Sequence, residues 1–406
     1  MTTQSPRFDL VVFGATSFVG QILTERLVER LGSHGDVAWA IAGRNADKLA
    51  AVADEAGADV EQIVADASDE AAMAELAASA RVVVSTVGPY AHYGSPLVAA
   101  IASTGNDYCD LTGEPHWMRA MIDEHQTTAE QSGARIVHAC GFDSLPSDLG
   151  VWFTQHRAME RFGEPCTRIG LRVKAVKGGA SGGTVASMMG LAEQARDPEL
   201  RKILGNPYAL APEGMRDGVD QPNVLVPRLD DLSGEWVGPF VMAATNTKVV
   251  QRTHALLGRP WGDDFRYDEA MLSGSGPVGM MKAGAVAGGT GAFAGTAAFG
   301  PGRKLLGALL PEPGEGPSPE AQANGFFDVR LYGETAAGGT IVTKVTGDRD
   351  PGYGSTAKML AESALAFFDV PRTHSPAGFL TPAIAFGDTL TERLVERAGL
   401  TFDVID

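Results

Sequence analysis

The chain has 406 residues, 44% hydrophobic and 20% charged, with a formal net charge of −17 at pH 7. That length suits two or three domains with a sizeable core, and the acidic balance argues against non-specific nucleic-acid binding, which depends on basic surfaces. Cys109, Cys140 and Cys166 lack the spacing of a disulfide framework or a zinc site, so no metal is expected and a reducing, cytoplasmic setting fits.

The opening MTTQSPRFDL lacks the basic and apolar blocks of a secretory leader. FDLVVFG predicts a strand, and SFVGQILTERLVERL a helix, with apolar residues at helical spacing and charges opposite. DVAWAIAGR predicts a second strand, NADKLAAVADEAG a helix capped by Asn45, DVEQIVAD a third strand, and SDEAAMAELAASA a helix capped by Ser68. RVVVSTVGP is a fourth strand, ended by Gly88-Pro89; SPLVAAIASTG is a helix with Pro96 at its first position, where a missing N–H is harmless. A strand DYCDLTG, a helix EPHWMRAMIDEHQTTAEQSG and a strand ARIVHACG follow. Strands alternating with helices imply right-handed crossovers and a doubly wound parallel sheet over residues 1–145.

The rhythm then changes. TRIGLRVKAVKG predicts a strand, GGTVASMMGLAEQA a helix, residues 205–240 loop, and NGFFDVRLYGETAAGGTIVTKVTGD a hairpin turning around Ala336–Gly339. This antiparallel signal predicts a second, α+β domain with a mixed sheet over 146–350, carrying a flexible Gly/Ala-rich segment at 273–320. STAKMLAESALAFFD and DTLTERLVERAG are amphipathic helices in 351–406, expected to pack back on the first domain. Residues 277–300 contain so much Gly and Ala that no strong autonomous helix is expected; the segment reads either as a flap, near a lipidic ligand or membrane surface, or as a helix wedged between neighbours.

The strand-turn-helix LVVFGATSFVGQIL carries the chemistry. Gly14 allows a sharp exit from the strand, Gly20 close helix packing, and the helix start offers free amides to a phosphate. The residues facing a dinucleotide are then Gly14, Ala15, Thr16, Ser17, Phe18, Val19 and Gly20, with Ser17 in place of the usual middle glycine and its hydroxyl free to bond phosphate. The second strand ends on Arg44 instead of an acid, which favours NADP over NAD because a guanidinium pairs with a 2′-phosphate. Asp66 can either bond the adenine edge or cap a helix. Thr86, Val87, Gly88 and Pro89 leave the fourth strand where the nicotinamide is expected, followed by Tyr90, His92 and Tyr93.

GATSFVG, AGRNADKL, STVGPYAHYGSPLVAAIASTGNDYCDLTGE, GFDSLPSDLG and SGGTVASM together resemble the saccharopine-dehydrogenase-like oxidoreductases. RLYGET, DPGYGSTAKMLAESAL and GFLTPAIAFGDTLTERL extend the resemblance to the trans-acting enoyl reductase branch of actinobacteria. The resemblance implies NADPH-dependent reduction of a carbon–carbon double bond in a polyketide or long-chain lipid intermediate, held as an acyl thioester by a synthase. It places the protein in lipid or glycolipid biosynthesis, with peripheral contact at the plasma membrane and a homo-oligomer both open.

Enoyl reduction needs a hydride at the β-carbon, a proton at the α-carbon and a donor to the enolate oxygen. Tyr93, Tyr90, Lys174 and Tyr353 are the candidate acids, and Asp143 and Asp148 are either cleft-lining or capping groups. Arg168, Arg172, Lys174 and Lys177 share a strand whose alternation predicts either a solvated face or a contact for phosphopantetheine or an acidic carrier. Two other functions remain open: a dehydrogenase of a small amino or keto acid, and a non-catalytic, cofactor-bound, lipid-associated module.

Overall fold

A computed structural model describes residues 6–179, 197–297, 299–302, 306 and 316–406. In chain order the elements are β1 (Phe8–Phe13), α1 (Phe18–Leu31), β2 (Trp39–Gly43), α2 (Ala46–Ala56), β3 (Glu61–Val64), α3 (Glu70–Ser79), β4 (Ala80–Ser85), α4 (Tyr90–Tyr93), α5 (Ser95–Thr104), β5 (Asp107–Asp110), α6 (Pro115–Ser132) and β6 (Arg135–Val137). There follow α7 (Leu145–Phe162), β7 (Cys166–Lys177), α8 (Pro198–Gly205), β8 (Arg228–Leu229), β9 (Trp236–Pro239), α9 (Ala243–Leu256), β10 (Arg266–Gly274), α10 (Gly276–Ala297), α11 (Pro319–Ala323), β11 (Phe326–Thr335) and β12 (Thr340–Gly347). A π-helical turn Pro351–Ser355 leads into α12 (Thr356–Asp369), β13 (Gly378–Leu380), α13 (Pro382–Arg397) and β14 (Leu400–Val404). The helix expected at 182–195 and most of PEPGEGPSPE lie outside the described residues.

The chain divides into two compact units: residues 1–142, 314–316 and 352–398, and residues 143–313, 317–351 and 399–406. The first holds a seven-stranded sheet in the order β13-β6-β5-β4-β1-β2-β3, every pairing parallel. Strand order reverses between β1 and β4, the switch point at which open α/β sheets bind ligands beyond the carboxyl strand ends. Leu10, Val11, Val12, Val83 and Val84 are buried, the continuous apolar pattern of strands covered on both faces.

The C-terminal helices α12 and α13 belong to this first unit. The buried carboxylate of Glu362 on α12 joins Arg30 of α1 at 2.8 Å and Arg393 of α13 at 2.7 Å. Three caps follow local chemistry. Ser17 accepts the Gly20 amide, Asn45 the Lys48 amide, and Asp69 the Ala71 and Ala72 amides. Asp69 thus takes the place expected of Ser68, whose hydroxyl bonds Asp66 at 2.7 Å.

The second unit is a mixed seven-stranded sheet, β14-β12-β11-β7-β10-β9-β8, in which only β7 and β10 pair in parallel. Buried Phe327, Val329, Leu331, Ile341 and Val345 alternate along the hairpin β11–β12. Gly150 of α7 lets that helix lie on the sheet, for a Cβ there would come within 3.1 Å of Leu331.

Two local expectations need correction. Residues 205–240 are not all loop, since β8 and β9 form there at the sheet edge. The C-terminal residues add an edge strand, β14, that short alternation did not reveal. The helix expected from residue 388 is present, preceded across a non-helical Gly387 at φ 50° by a helical stretch that starts at Pro382. Gly276–Ala297 is a helix, one of the two readings open for this segment, despite its seven glycines. It lies over β9, where Gly238 leaves room for Val286 and the Ala283 carbonyl, so a sheet surface supplies what propensity lacks. It is not wedged on all sides: only Gly279, Ala283 and Ala297 are buried, and Val278, Met280 and Met281 are exposed. No helix of the described residues is long and apolar enough to cross a membrane.

Candidate functional site

The glycine turn closes at the carboxyl end of β1. Gly14 has φ 92°, a left-handed conformation that favours glycine. A Cβ there would stand 2.7 Å from both Thr86 Oγ1 and Val87 Cγ2, and one on Gly20 would stand 2.1 Å from the Gly14 carbonyl oxygen. The Ser17 amide donates to Gly14 O at 2.8 Å. The amides of Phe18 and Val19, the first two of α1, have no acceptor among the described residues. They stand at the positive end of a 14-residue helix, as a diphosphate requires. Ala15 is buried behind the turn and Thr16 is half-buried within it.

Ser17 uses its hydroxyl internally. Its Oγ accepts from Gly20 N at 2.9 Å and lies 2.9 Å from Thr86 Oγ1. Thr86 donates its own proton to Gly14 O at 2.8 Å, so the Ser17 proton goes to Thr86. The serine that replaces the usual glycine therefore ties the turn to the loop after β4.

Arg44 is exposed at the end of β2. Asp66, at the end of β3, is held below the usual carboxylate range by the Ser68 amide and hydroxyl and by the nearby Arg44 guanidinium. The helix amides without an acceptor among the described residues, the small-residue cradle and an exposed arginine in place of an acid all fit NADP(H).

Beyond β4 the chain runs through Thr86, Val87 and a cis Gly88–Pro89 peptide into α4. Glu114, buried at the start of α6, accepts the Tyr90 and Ala91 amides at 2.9 and 3.0 Å. This carboxylate fixes the turn after the cis peptide. Sequence reasoning passed over it, although a glutamate directly before a helix-starting proline was its visible signal. Tyr90 is buried and donates to Ser85 O at 2.9 Å; burial, then the Asp110 carboxylate, holds its phenol well above the usual range. Tyr93 is 42% exposed beside His92. Tyr353 is buried, its ring edge-on to Phe18 at 5.0 Å, so the π-helical turn meets the start of α1. In the same unit Phe142 N donates to Thr356 Oγ1 at 3.0 Å, joining GFDSLPSD to DPGYGSTAK.

In the second unit the cations of this strand differ: Lys174 and Lys177 are exposed, as a solvated face requires, whereas Arg172 is not. Arg172 is wholly buried, with Nε and Nη2 on Asp230 at 2.9 and 2.8 Å and Nη1 3.1 Å from Asp268. The reason is non-local: Asp230 precedes β9 and Asp268 lies on β10, so no strand-level pattern shows the pairing. Arg168 pairs with Asp231 at 2.7 Å, and Lys174 lies 3.7 Å from Glu235. Asp148 is buried and accepts from the Thr253 hydroxyl; burial raises the Asp143 carboxyl to about 6. A buried network joins Ser144 to Asn246 at 3.0 Å and Asn246 to Glu269 at 2.8 Å, while Tyr267 donates to Glu269 at 2.6 Å.

Residues 10–137 match the saccharopine dehydrogenase NADP-binding domain. Over 97% of both chains, this protein is 41% identical to a putative trans-acting enoyl reductase of Mycobacterium tuberculosis, and over the same shares 37% identical to a trans-acting enoyl reductase of Mycobacterium ulcerans. Its fold is that of saccharopine dehydrogenase (L-Glu forming) from Saccharomyces cerevisiae, with a TM-score of 0.53, 14% identity, and coverage of 98% of this chain and 100% of that one. The glycine turn, the free amides of α1, the arginine at the tip of β2 and these likenesses agree: the chain belongs to the trans-acting enoyl reductase family with a saccharopine dehydrogenase NADP-binding domain, and it is an NADP(H)-dependent oxidoreductase.

Proposed function

We propose that the protein reduces the carbon–carbon double bond of an enoyl thioester, an intermediate of polyketide or long-chain lipid synthesis presented by a separate synthase. The observation that carries this reading is the 37–41% identity, over almost the whole chain, to proteins named trans-acting enoyl reductases. When bound, NADPH supplies the hydride. The chain's own part is to hold the diphosphate on the Phe18 and Val19 amides, to read the 2′-phosphate with Arg44, and to line the nicotinamide edge with Thr86, Val87, Gly88 and Pro89. Tyr93 and Tyr353 remain the tyrosines proposed as proton donors. Tyr90 serves better as a positioning group, because its proton is committed to Ser85 O.

The engagement of Arg168 and Arg172 by carboxylates supports this reading over a small amino or keto acid, whose carboxylates need unengaged cations. The test is NADPH oxidation with trans-2-octenoyl-coenzyme A and, separately, NADP+ reduction with saccharopine. Turnover of the thioester alone is expected; turnover of saccharopine alone would replace the proposal with the amino-acid reading.

A further inference from the structure

Among the described residues, His116 is the one histidine whose two ring nitrogens are both buried and without a hydrogen-bond partner. The residue is 9% exposed. Buried polar atoms are nearly always paired, so an imidazole with neither nitrogen satisfied asks for a ligand. Its setting is rigid. Glu114, two residues before it, caps α4. Trp117, the next residue, donates to Ser95 Oγ at 3.0 Å, and a Cβ on Gly94 would stand 2.5 Å from its ring. α4 and the start of α6 are thus locked together, directly after the Thr86–Pro89 loop at the carboxyl end of β4. Burial, opposed by Glu114 and aided by His92, keeps the imidazole below the ordinary histidine range. It is then neutral near pH 7, with one N–H to donate.

We propose that His116 is a catalytic residue whose ring N–H donates a hydrogen bond to the thioester carbonyl oxygen. This rests on the enoyl-reductase reading and adds to it the group that receives the developing charge. As hydride bonds to the β-carbon, the π pair of the double bond moves toward the α-carbon and the carbonyl oxygen. The His116 N–H stabilises that oxygen. A proton from the proposed tyrosine donor, itself reprotonated from solvent, then bonds to the α-carbon, the carbonyl re-forms, and the imidazole ends in the state in which it began.

The test uses the full chain, NADPH and trans-2-octenoyl-coenzyme A. His116→Phe should lower kcat on the order of 10²–10³-fold with NADPH affinity unchanged, and His116→Gln, which retains an N–H donor, should recover part of the loss. Independently, the His116 ring resonances of the wild-type NADP+ complex should shift when octanoyl-coenzyme A is added. If the wild type reduces the thioester while His116→Phe keeps a wild-type kcat, or the ring resonances do not move, this inference falls and the enoyl-reductase reading stands. If the wild type reduces no enoyl thioester, the functional reading falls, and the resonances alone decide whether His116 meets an acyl carbonyl. Should His116→Phe fail to fold, kcat of the glutamine variant and the ring resonances still decide whether His116 acts on the carbonyl.

Discussion

Ser17 and Thr86, 69 residues apart, share a hydroxyl–hydroxyl hydrogen bond of 2.9 Å that joins the glycine turn to the loop after β4. Thr86 is also bonded to Gly14 O, and Ser17 also caps α1. Ser17→Ala should cost about 1 kcal/mol as a lost N-cap. Thr86→Val should cost about 1–3 kcal/mol, since it leaves buried partners unpaired. Because the two share one bond, the double variant should lose less than the sum of the single ones. Thermal unfolding and NADPH titration of all four proteins measure the cycle; strict additivity would show that the hydroxyls act separately.

Arg44 is exposed, with its guanidinium close enough to Asp66 to draw that carboxylate's proton affinity down. Arg44→Ala should weaken NADPH binding by about 1–3 kcal/mol, the range of a hydrogen bond to a charged group, and leave NADH binding almost unchanged. Fluorescence titration with each cofactor checks this, and equal losses would remove Arg44 from the 2′-phosphate site.

Arg172 neutralises two buried carboxylates, Asp230 and Asp268. Arg172→Met should destabilise the protein by about 3–5 kcal/mol, because it strands those charges in the interior. Chemical denaturation would register the change as a lower midpoint. A loss below about 1 kcal/mol would mean that water or Arg228, 3.3 Å from Asp268, takes over the compensation.

Glu269 has no cation beside it among its hydrogen-bond partners, and burial raises its carboxyl from 4.5 to about 7. The folded protein therefore holds this proton more tightly than the unfolded chain does. The resulting stability is full below about pH 4.5 and is lost as pH rises toward 7. His254, lowered to about 4 by burial, works in the opposite sense between about pH 4 and its ordinary value of 6.5. The difference curve isolates the glutamate: Glu269→Gln minus wild type should grow more favourable across pH 4.5–7, by a few kcal/mol at most. Parallel curves for the two proteins would show that Glu269 titrates as it does in the unfolded chain.

What the sequence determined by itself was local or periodic. Apolar runs alternating with amphipathic helices specified the doubly wound sheet, because strands covered on both faces must be continuously hydrophobic. Gly14, Gly20 and the cap at Asn45 were legible because their partners lie within a few residues. Absence of an acid at the tip of β2 singled out NADP for the same reason: the decisive residue, Arg44, closes the strand itself. Tertiary structure alone decided what depends on distant partners. Arg172 reads as one of several strand cations until Asp230 and Asp268 enclose it, and Ser17 reads as a phosphate donor until Thr86 takes its proton. Gly276–Ala297 has poor helix propensity and folds as a helix over β9, since docking against a sheet outweighs a propensity deficit spread over many residues. His116 carries no motif at all; only burial, with both of its nitrogens unpaired, distinguishes it.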